Sequence, residues 1–361
     1  MPTIDKPGVQ PLRPLLDDAA VTEIMINGPH QMFVERGGQM VEVPTVFTHP
    51  SQLDLLVDNL VVGAGRGVNA RTPMVDFRLD DGSRVNICIA PVSLQGPAVT
   101  IRKFTNAVRS LGDLIRHGTL TPRMADFLSC AVRARLNIVF SGGTGTGKTT
   151  TLGILAGQIA GGERVVVIED TAELDLTLSH CVRLECRPSN AEGSGAITLA
   201  DLLKNSLRMR PNRIILGEIR GAEAFEMLHA MTSGHDGSMG VLHASSPAHA
   251  IARLELMLLS KGLQLPLWAI QKQISTSLDL VLQHQIMQDG VRRLTHISEV
   301  NRSEGGEVVL EPLFVYQLEG YGADGRAVGA FVASGTRPAC YGKLRLVAGA
   351  DVDALLAAGP C

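Results

Sequence analysis

Hydrophobic and polar positions change rhythm twice along this chain. From about residue 20 to residue 103 the alternation is mostly two-residue. EIMING and QMFVERGGQMVEV read as short strands around turn residues. From Ser51 to about Val62 the spacing lengthens, and Leu53, Leu56, Leu60 and Val61 fall on one helical face. MVDFRLDDGSRVNICIA then predicts two strands joined at Asp81-Gly82, a dipeptide suited to a tight hairpin, and PAVTIRKF predicts the strand that closes this small α+β unit.

SLGDLIRHG and TPRMADFLSCAVRARL predict helices. After them NIVFSG, ERVVVIED and RIILGEI are short β-branched runs, separated by helical stretches such as LADLLKNSLRMR, which stops before Pro211, and about 222–232. That alternation predicts a mostly parallel sheet covered by helices on both faces, an α/β fold. Beyond Gly262, PLWAIQKQISTSLDLVLQ predicts one helix, and RRLTHISEV and GEVVLEPLFVYQ predict strands around a Gly-Gly turn. The last forty or so residues are rich in glycine and alanine and carry little pattern.

Composition narrows the class. With 361 residues, 45% of them apolar and 19% charged, the chain can bury two or three cores, and long disorder is not expected. A net charge of -3 and the lack of a basic tract argue against direct nucleic-acid binding. Cys88, Cys130, Cys181, Cys186, Cys340 and Cys361 form no CxxC pair, so reduced thiols are expected instead of a zinc site. The opening MPTIDKPGVQPLRPLLDD lacks the basic start and apolar core of a signal peptide, and no apolar run is long enough to span a bilayer. The expected location is therefore cytoplasmic, with no transmembrane segment.

The strongest chemical signal is SGGTGTGKTTTL, which follows NIVF and opens a helix. It satisfies the phosphate-loop pattern with Gly142, Gly147, Lys148 and Thr149. Over Gly142, Gly143, Thr144, Gly145, Thr146, Gly147, Lys148, Thr149 and Thr150, glycines let backbone N–H groups turn inward around phosphate oxygens. The helix N-terminus adds its dipole, Lys148 reaches the β- and γ-phosphates, and the Thr149 hydroxyl ligates Mg²⁺. ATP and Mg²⁺ are the expected ligands.

Three further stretches supply acids and a base. RIILGEIRG ends a strand at Glu218, a candidate for orienting and deprotonating the attacking water. Gly217 stands where an aspartate would otherwise hold metal, so the ion would rest mainly on Thr149, with Glu218 acting through water. VVVIEDTAE places Glu169, Asp170 and Glu173 after another strand, either near the phosphates, with Glu169 inward, or as an acid cluster favoured by a helix dipole. SGHDGSMGVLHASSP contains His235 and His243. The latter ends a strand, where an imidazole could read the γ-phosphate.

Four boxes in this order resemble the secretion-superfamily (traffic) ATPases that power type II and type IV secretion and type IV pili. SGHDGSMGVLHASSP, MVDFRLDDGSRVN and VTIRKF look most like the CpaF-like, tight-adherence pilus branch, with conjugation ATPases as near relatives. The likeness runs from about Val21 to GAFVASGTRP. It implies an N-terminal α+β (PAS-like) domain over 1–103, a linker helix over 104–120, and a RecA-like ATPase domain over 121–361 with a C-terminal helical and β extension. It also implies a homo-hexameric ring, inner-membrane platform proteins as partners, and peripheral attachment to that membrane through them. Arg84 and Arg102 match family arginines that approach the phosphates, and Arg208 and Arg220 match arginines flanking the catalytic strand. Asn212 departs from the family's usual aspartate, and the four-cysteine zinc insertion of type II members is missing. A DNA or protein motor of the conjugation kind and a nucleotide-dependent scaffold with little turnover are the competing functions. No LSGGQ-type signature or NKxD segment supports ABC transport or a GTPase.

Overall fold

The computed structural model describes residues 8–64, 67–103, 108–174, 176, 178–187, 189, 194–260, 262, 265–303, 305–347, 349 and 351–361. They divide into two compact units, 1–107 and 108–361. Residues 104–107 of the expected linker lie outside the described residues.

In the first unit, α1 (Arg13–Asp17), β1 (Val21–Asn27), β2 (Met32–Arg36), β3 (Gln39–Val43), α2 (Pro50–Gly63), β4 (Met74–Arg78), β5 (Arg84–Cys88) and β6 (Ala98–Arg102) follow in order. The strands form an antiparallel sheet ordered β3-β2-β1-β6-β5-β4. Period-two alternation puts Ile24, Ile26, Val34, Val85, Ile87, Val99 and Ile101 on one face. There they bury against Leu53, Leu56, Leu60 and Val61 of α2. The β4–β5 turn closes as expected at Asp81-Gly82, with Gly82 at φ 88° and Leu79 N–H donating to Ser83 O at 2.8 Å. On the opposite face, residues directly across from one another make a charged row: Glu35, Glu23, Arg102, Arg84 and Arg78. Burial pushes the Glu23 carboxyl up, and the Arg102 charge partly offsets it.

The second unit contains α3 (Leu111–Arg116), α4 (Pro122–Arg133), β7 (Ile138–Gly142), α5 (Lys148–Ala156), β8 (Val165–Glu169), β9 (Cys181–Glu185), α6 (Leu199–Ser206), β10 (Arg213–Ile219), α7 (Glu223–Thr232), β11 (Met239–His243), α8 (Pro247–Ser260), α9 (Leu267–Ser277), β12 (Leu280–Ile286), β13 (Arg292–Arg302), β14 (Val308–Tyr321), β15 (Ala327–Ala333), α10 (Tyr341–Arg345), α11 (Val352–Leu356) and β16 (Gly359–Pro360). Its sheet runs β16-β15-β14-β13-β12-β7-β11-β10-β8-β9. Strands β12, β7, β11, β10, β8 and β9 are parallel neighbours, and β12 to β16 continue antiparallel. Two apolar layers flank the sheet, one around α3, α4 and α5 and the other around α6 to α9. The fold is thus α/β with a large mixed sheet.

Local sequence sets the helix starts. Ser110 with Asp113 and Thr198 with Asp201 form reciprocal caps, and Thr121 caps α4 ahead of Pro122. Helix α3, inside the expected linker, buries Leu114 in the core of the second unit.

One expectation needs correction. PLWAIQKQISTSLDLVLQ is not one helix: α9 ends at Ser277, and Leu280 begins β12 beside the phosphate-loop strand. Leu280, Val281 and Leu282 are all fully buried, one on each face in turn. A central parallel strand produces that run, and it is locally indistinguishable from a buried helix. The weakly patterned C-terminal stretch folds into β15, α10, α11 and β16. Cys340, Tyr341, Leu344 and Val352 join the core there.

Candidate functional site

Strand β7 is buried at every position and delivers the chain to Gly142 at the carboxyl edge of the sheet, where open α/β sheets bind ligands. Gly142 cannot be replaced without a clash: a Cβ there would lie 2.6 Å from His284 O and 2.7 Å from Thr146 Oγ1. Gly147, at φ 93°, occupies the left-handed conformation just ahead of α5. The loop between them is held by its own groups. Thr146 Oγ1 donates to Gly143 O at 2.9 Å, and the buried Lys148 donates through Nζ to the same oxygen at 2.6 Å. Gly143 and Thr144 are exposed, and Thr149 is half-buried at the first turn of α5, with Thr150 exposed beside it.

Neighbouring strand ends line up with this loop. His243 on β11 and His284 on β12 both pair with Gly142 in register, one on each side. Strand β10 reaches the same edge with a bulge between Leu216 and Ile219, where Gly217 and Glu218 oppose a single residue of β11. Bulges of this kind re-aim a side chain. Here the Glu218 carboxylate meets His243 Nε2 at 3.3 Å through Oε1 and accepts from Arg220 through Oε2 at 2.5 Å. Burial lowers the proton affinity of His243, the Lys148 charge adds to that, and Glu218 opposes it. The Glu218 bond raises the Arg220 guanidinium's hold on its proton.

Glu169, at the end of β8, is almost fully buried. Its Oε1 accepts from the backbone N–H of Glu173 at 2.6 Å and Leu174 at 2.8 Å, and Oε2 lies 3.2 Å from Arg183 Nη2. These bonds fold the β8–β9 connection onto the strand end. Asn212 sits at the other end of β10 from Glu218, where its Oδ1 accepts from Arg164 N–H at 2.8 Å. Arg84 and Arg102 lie in the first unit, directly opposite one another.

Three residues near the loop had no sequence signal strong enough to single them out. His284 Nε2 is 3.1 Å from Thr151 Oγ1 and fully buried. Burial, then the nearby Lys148 charge, push its pKa down to about 4. Gln283, also fully buried, donates to Ala244 O at 3.2 Å. Arg292, at the start of β13, donates through Nε to Gly145 O at 2.7 Å. Gln283 ends the segment that the sequence reading took as helix, His284 follows it, and Arg292 opens a segment read as plain strand.

The arrangement fits a triphosphate: a cradle with no room for a Cβ, a helix N-terminus behind it and a buried lysine within it. Among the described residues no group of three or more His, Cys, Asp or Glu side chains could hold a metal ion. A Mg²⁺ ion would therefore depend on the Thr149 hydroxyl and the ligand's own phosphate oxygens, the donor set it accepts in nucleotide sites. Among the described residues no helix is long and apolar enough to cross a membrane.

Residues 5–326 match the family model described as type II/IV secretion system protein. The chain is 33% identical over 300 residues to a putative conjugal transfer protein of Mycobacterium tuberculosis, covering 81% of this chain and 85% of that one. It is 33% identical over 323 residues to the type IV secretion system protein VirB11 of Brucella suis, covering 81% and 88%. The crystal structure of the pilus retraction motor PilT with bound ADP superposes with a TM-score of 0.57 at 19% identity, covering 83% of this chain and 82% of that one. At that identity the likeness shows the fold alone. On the family match and the long alignments together, the chain belongs to the type II/IV secretion system protein family.

Proposed function

We propose that this chain is an ATP-hydrolysing motor that drives a secretion, conjugation or pilus apparatus. The observation that carries the reading is the pairing of Glu218 with His243 at the strand ends beside the phosphate loop. Glu218 takes a proton from the attacking water, held in aim by the β10 bulge and by its bonds to His243 and Arg220. Lys148 and the loop N–H groups hold the phosphates, and His243 follows the terminal one. Mg²⁺ supplies charge neutralisation on the phosphate oxygens. For Arg84 and Arg102 we keep the role the resemblance implies, positive charge for the transferring phosphoryl group. Glu169 belongs with the catalytic set only if its charge matters beyond holding residues 173 and 174.

The finer reading is assembly of a tight-adherence pilus by a homo-hexameric ring, in the cytoplasm and attached to inner-membrane platform proteins. It rests on the MVDFRLDDGSRVN, VTIRKF and SGHDGSMGVLHASSP boxes. A second reading, a motor for type IV secretion or conjugal transfer, is favoured by the names of the relatives at 33% identity. The test of the shared core is Glu218→Gln in purified protein. ATP-analogue affinity is expected within about threefold of wild type, and turnover is expected to fall by about 10²-fold or more, the usual worth of a positioned base. Unchanged turnover would remove Glu218 from its role. Molar mass with and without a non-hydrolysable analogue tests the ring.

A further inference from the structure

Strand β7 leaves the sheet at Gly142, in register with His243, the last residue of β11, while β12 runs on to Ile286. Side-chain amides from β12 reach the chain that follows β11, across the end of β7. Gln283 Nε2 donates to Ala244 O at 3.2 Å, and Gln285 Nε2 donates to Ser245 O at 3.4 Å. Ala244 directly follows His243, so the first of these bonds holds the carbonyl of the residue next to the imidazole. Gln283 is itself anchored from behind, because Thr295 Oγ1 on β13 donates to its backbone carbonyl at 3.2 Å. Its side chain is fully buried opposite Ser141, the residue before the loop's first glycine. Gln283 Oε1 and Ser141 Oγ are both buried without a hydrogen-bond partner among the described residues. A leucine or methionine of the same size would avoid that cost. A buried glutamine that leaves one end unsatisfied is a poor choice for packing, so its donor end must account for its presence.

We propose that Gln283 is a positioning residue for His243, with Gln285 as its outer support. Its amide reaches across the end of β7 and holds the chain after His243, so that the imidazole stays against Glu218. This rests on the reading that His243 acts on the terminal phosphate. The test is steady-state ATPase kinetics with ATP-analogue binding for Gln283→Met, His243→Ala and the double variant.

Gln283→Met is expected to lower kcat about tenfold, the effect of one buried hydrogen bond, with analogue affinity within about twofold. In the His243→Ala background it is expected to cost less than about twofold more. An equal loss in both backgrounds, or a fall in affinity matching the fall in kcat, would overturn the proposal in favour of a structural role. Wild-type turnover in His243→Ala alone would overturn the reading of His243 and the proposal with it. A slowed His243→Ala beside an unaffected Gln283→Met would overturn the proposal only. If Gln283→Met does not fold, Gln285→Ala, at a half-buried position, carries the same test. A loss of about twofold to threefold in kcat, absent in the His243→Ala background, supports the proposal; no loss in kcat, or the same loss in both backgrounds, overturns it.

Discussion

Acidification should weaken this fold through one histidine. His284 is fully buried against the phosphate-loop helix and titrates at about 4, against about 6.5 for an imidazole in an unfolded chain. Because its folded proton affinity is depressed, the stability it contributes is fully present above about pH 6.5. That stability is lost as pH falls from there through 4, where only the unfolded chain takes up the proton. Each tenfold difference in proton affinity is worth about 1.4 kcal/mol, so the whole transition removes about 3 kcal/mol, a large part of a typical domain's stability. The assay is urea denaturation of wild type and His284→Asn at intervals between pH 7.5 and 4.5. The variant loses the Thr151 contact and starts lower, but its stability should fall less steeply over that range. If both proteins lose stability in parallel, the imidazole is not buried in its neutral form and the reasoning fails.

Two further outcomes follow from the loop's surroundings. Gly142→Ala forces a Cβ to 2.6 Å from the His284 carbonyl, a contact only backbone movement can relieve. Thermal melts should show a loss of about 1–3 kcal/mol, and analogue titration should show weakened nucleotide binding. Glu169→Gln keeps one acceptor for the backbone N–H groups of Glu173 and Leu174 but loses the Arg183 charge pair. About 1–2 kcal/mol of stability should go, with kcat within about threefold of wild type. A hundredfold loss of kcat at unchanged stability would instead place Glu169 on the phosphates.

The phosphate loop was readable from sequence because its chemistry is local. Four glycines, four threonines and a lysine in nine successive positions have to be consecutive to wrap a phosphate, so order in the chain and order in space coincide. The hairpin at Asp81-Gly82 was readable for the same reason. Strand β12 was not. Leu280–Leu282 is an apolar triplet that either a buried helix or a central strand would accept, and only its pairing with β7 decides between them. Gln283 closed that misread segment and His284 followed it, and their partners Ala244 and Thr151 are far away in sequence. Glu169 was legible as a buried acid, but its engagement with residues 173, 174 and 183 depends on how the following connection folds back.

The charged row across the N-terminal sheet gives that face a direction. Two carboxylates stand on the β1–β2 side, and three guanidinium groups follow in register toward β4. Adjacent like charges repel, so an extended polyanion laid along the row gains most with its densest charge over the Arg102–Arg84–Arg78 end. Charges at a protein surface are screened beyond about 8 Å at physiological salt, so the gradient barely helps to capture such a molecule from solution. It acts after contact, by favouring one orientation of the bound polyanion over its reverse.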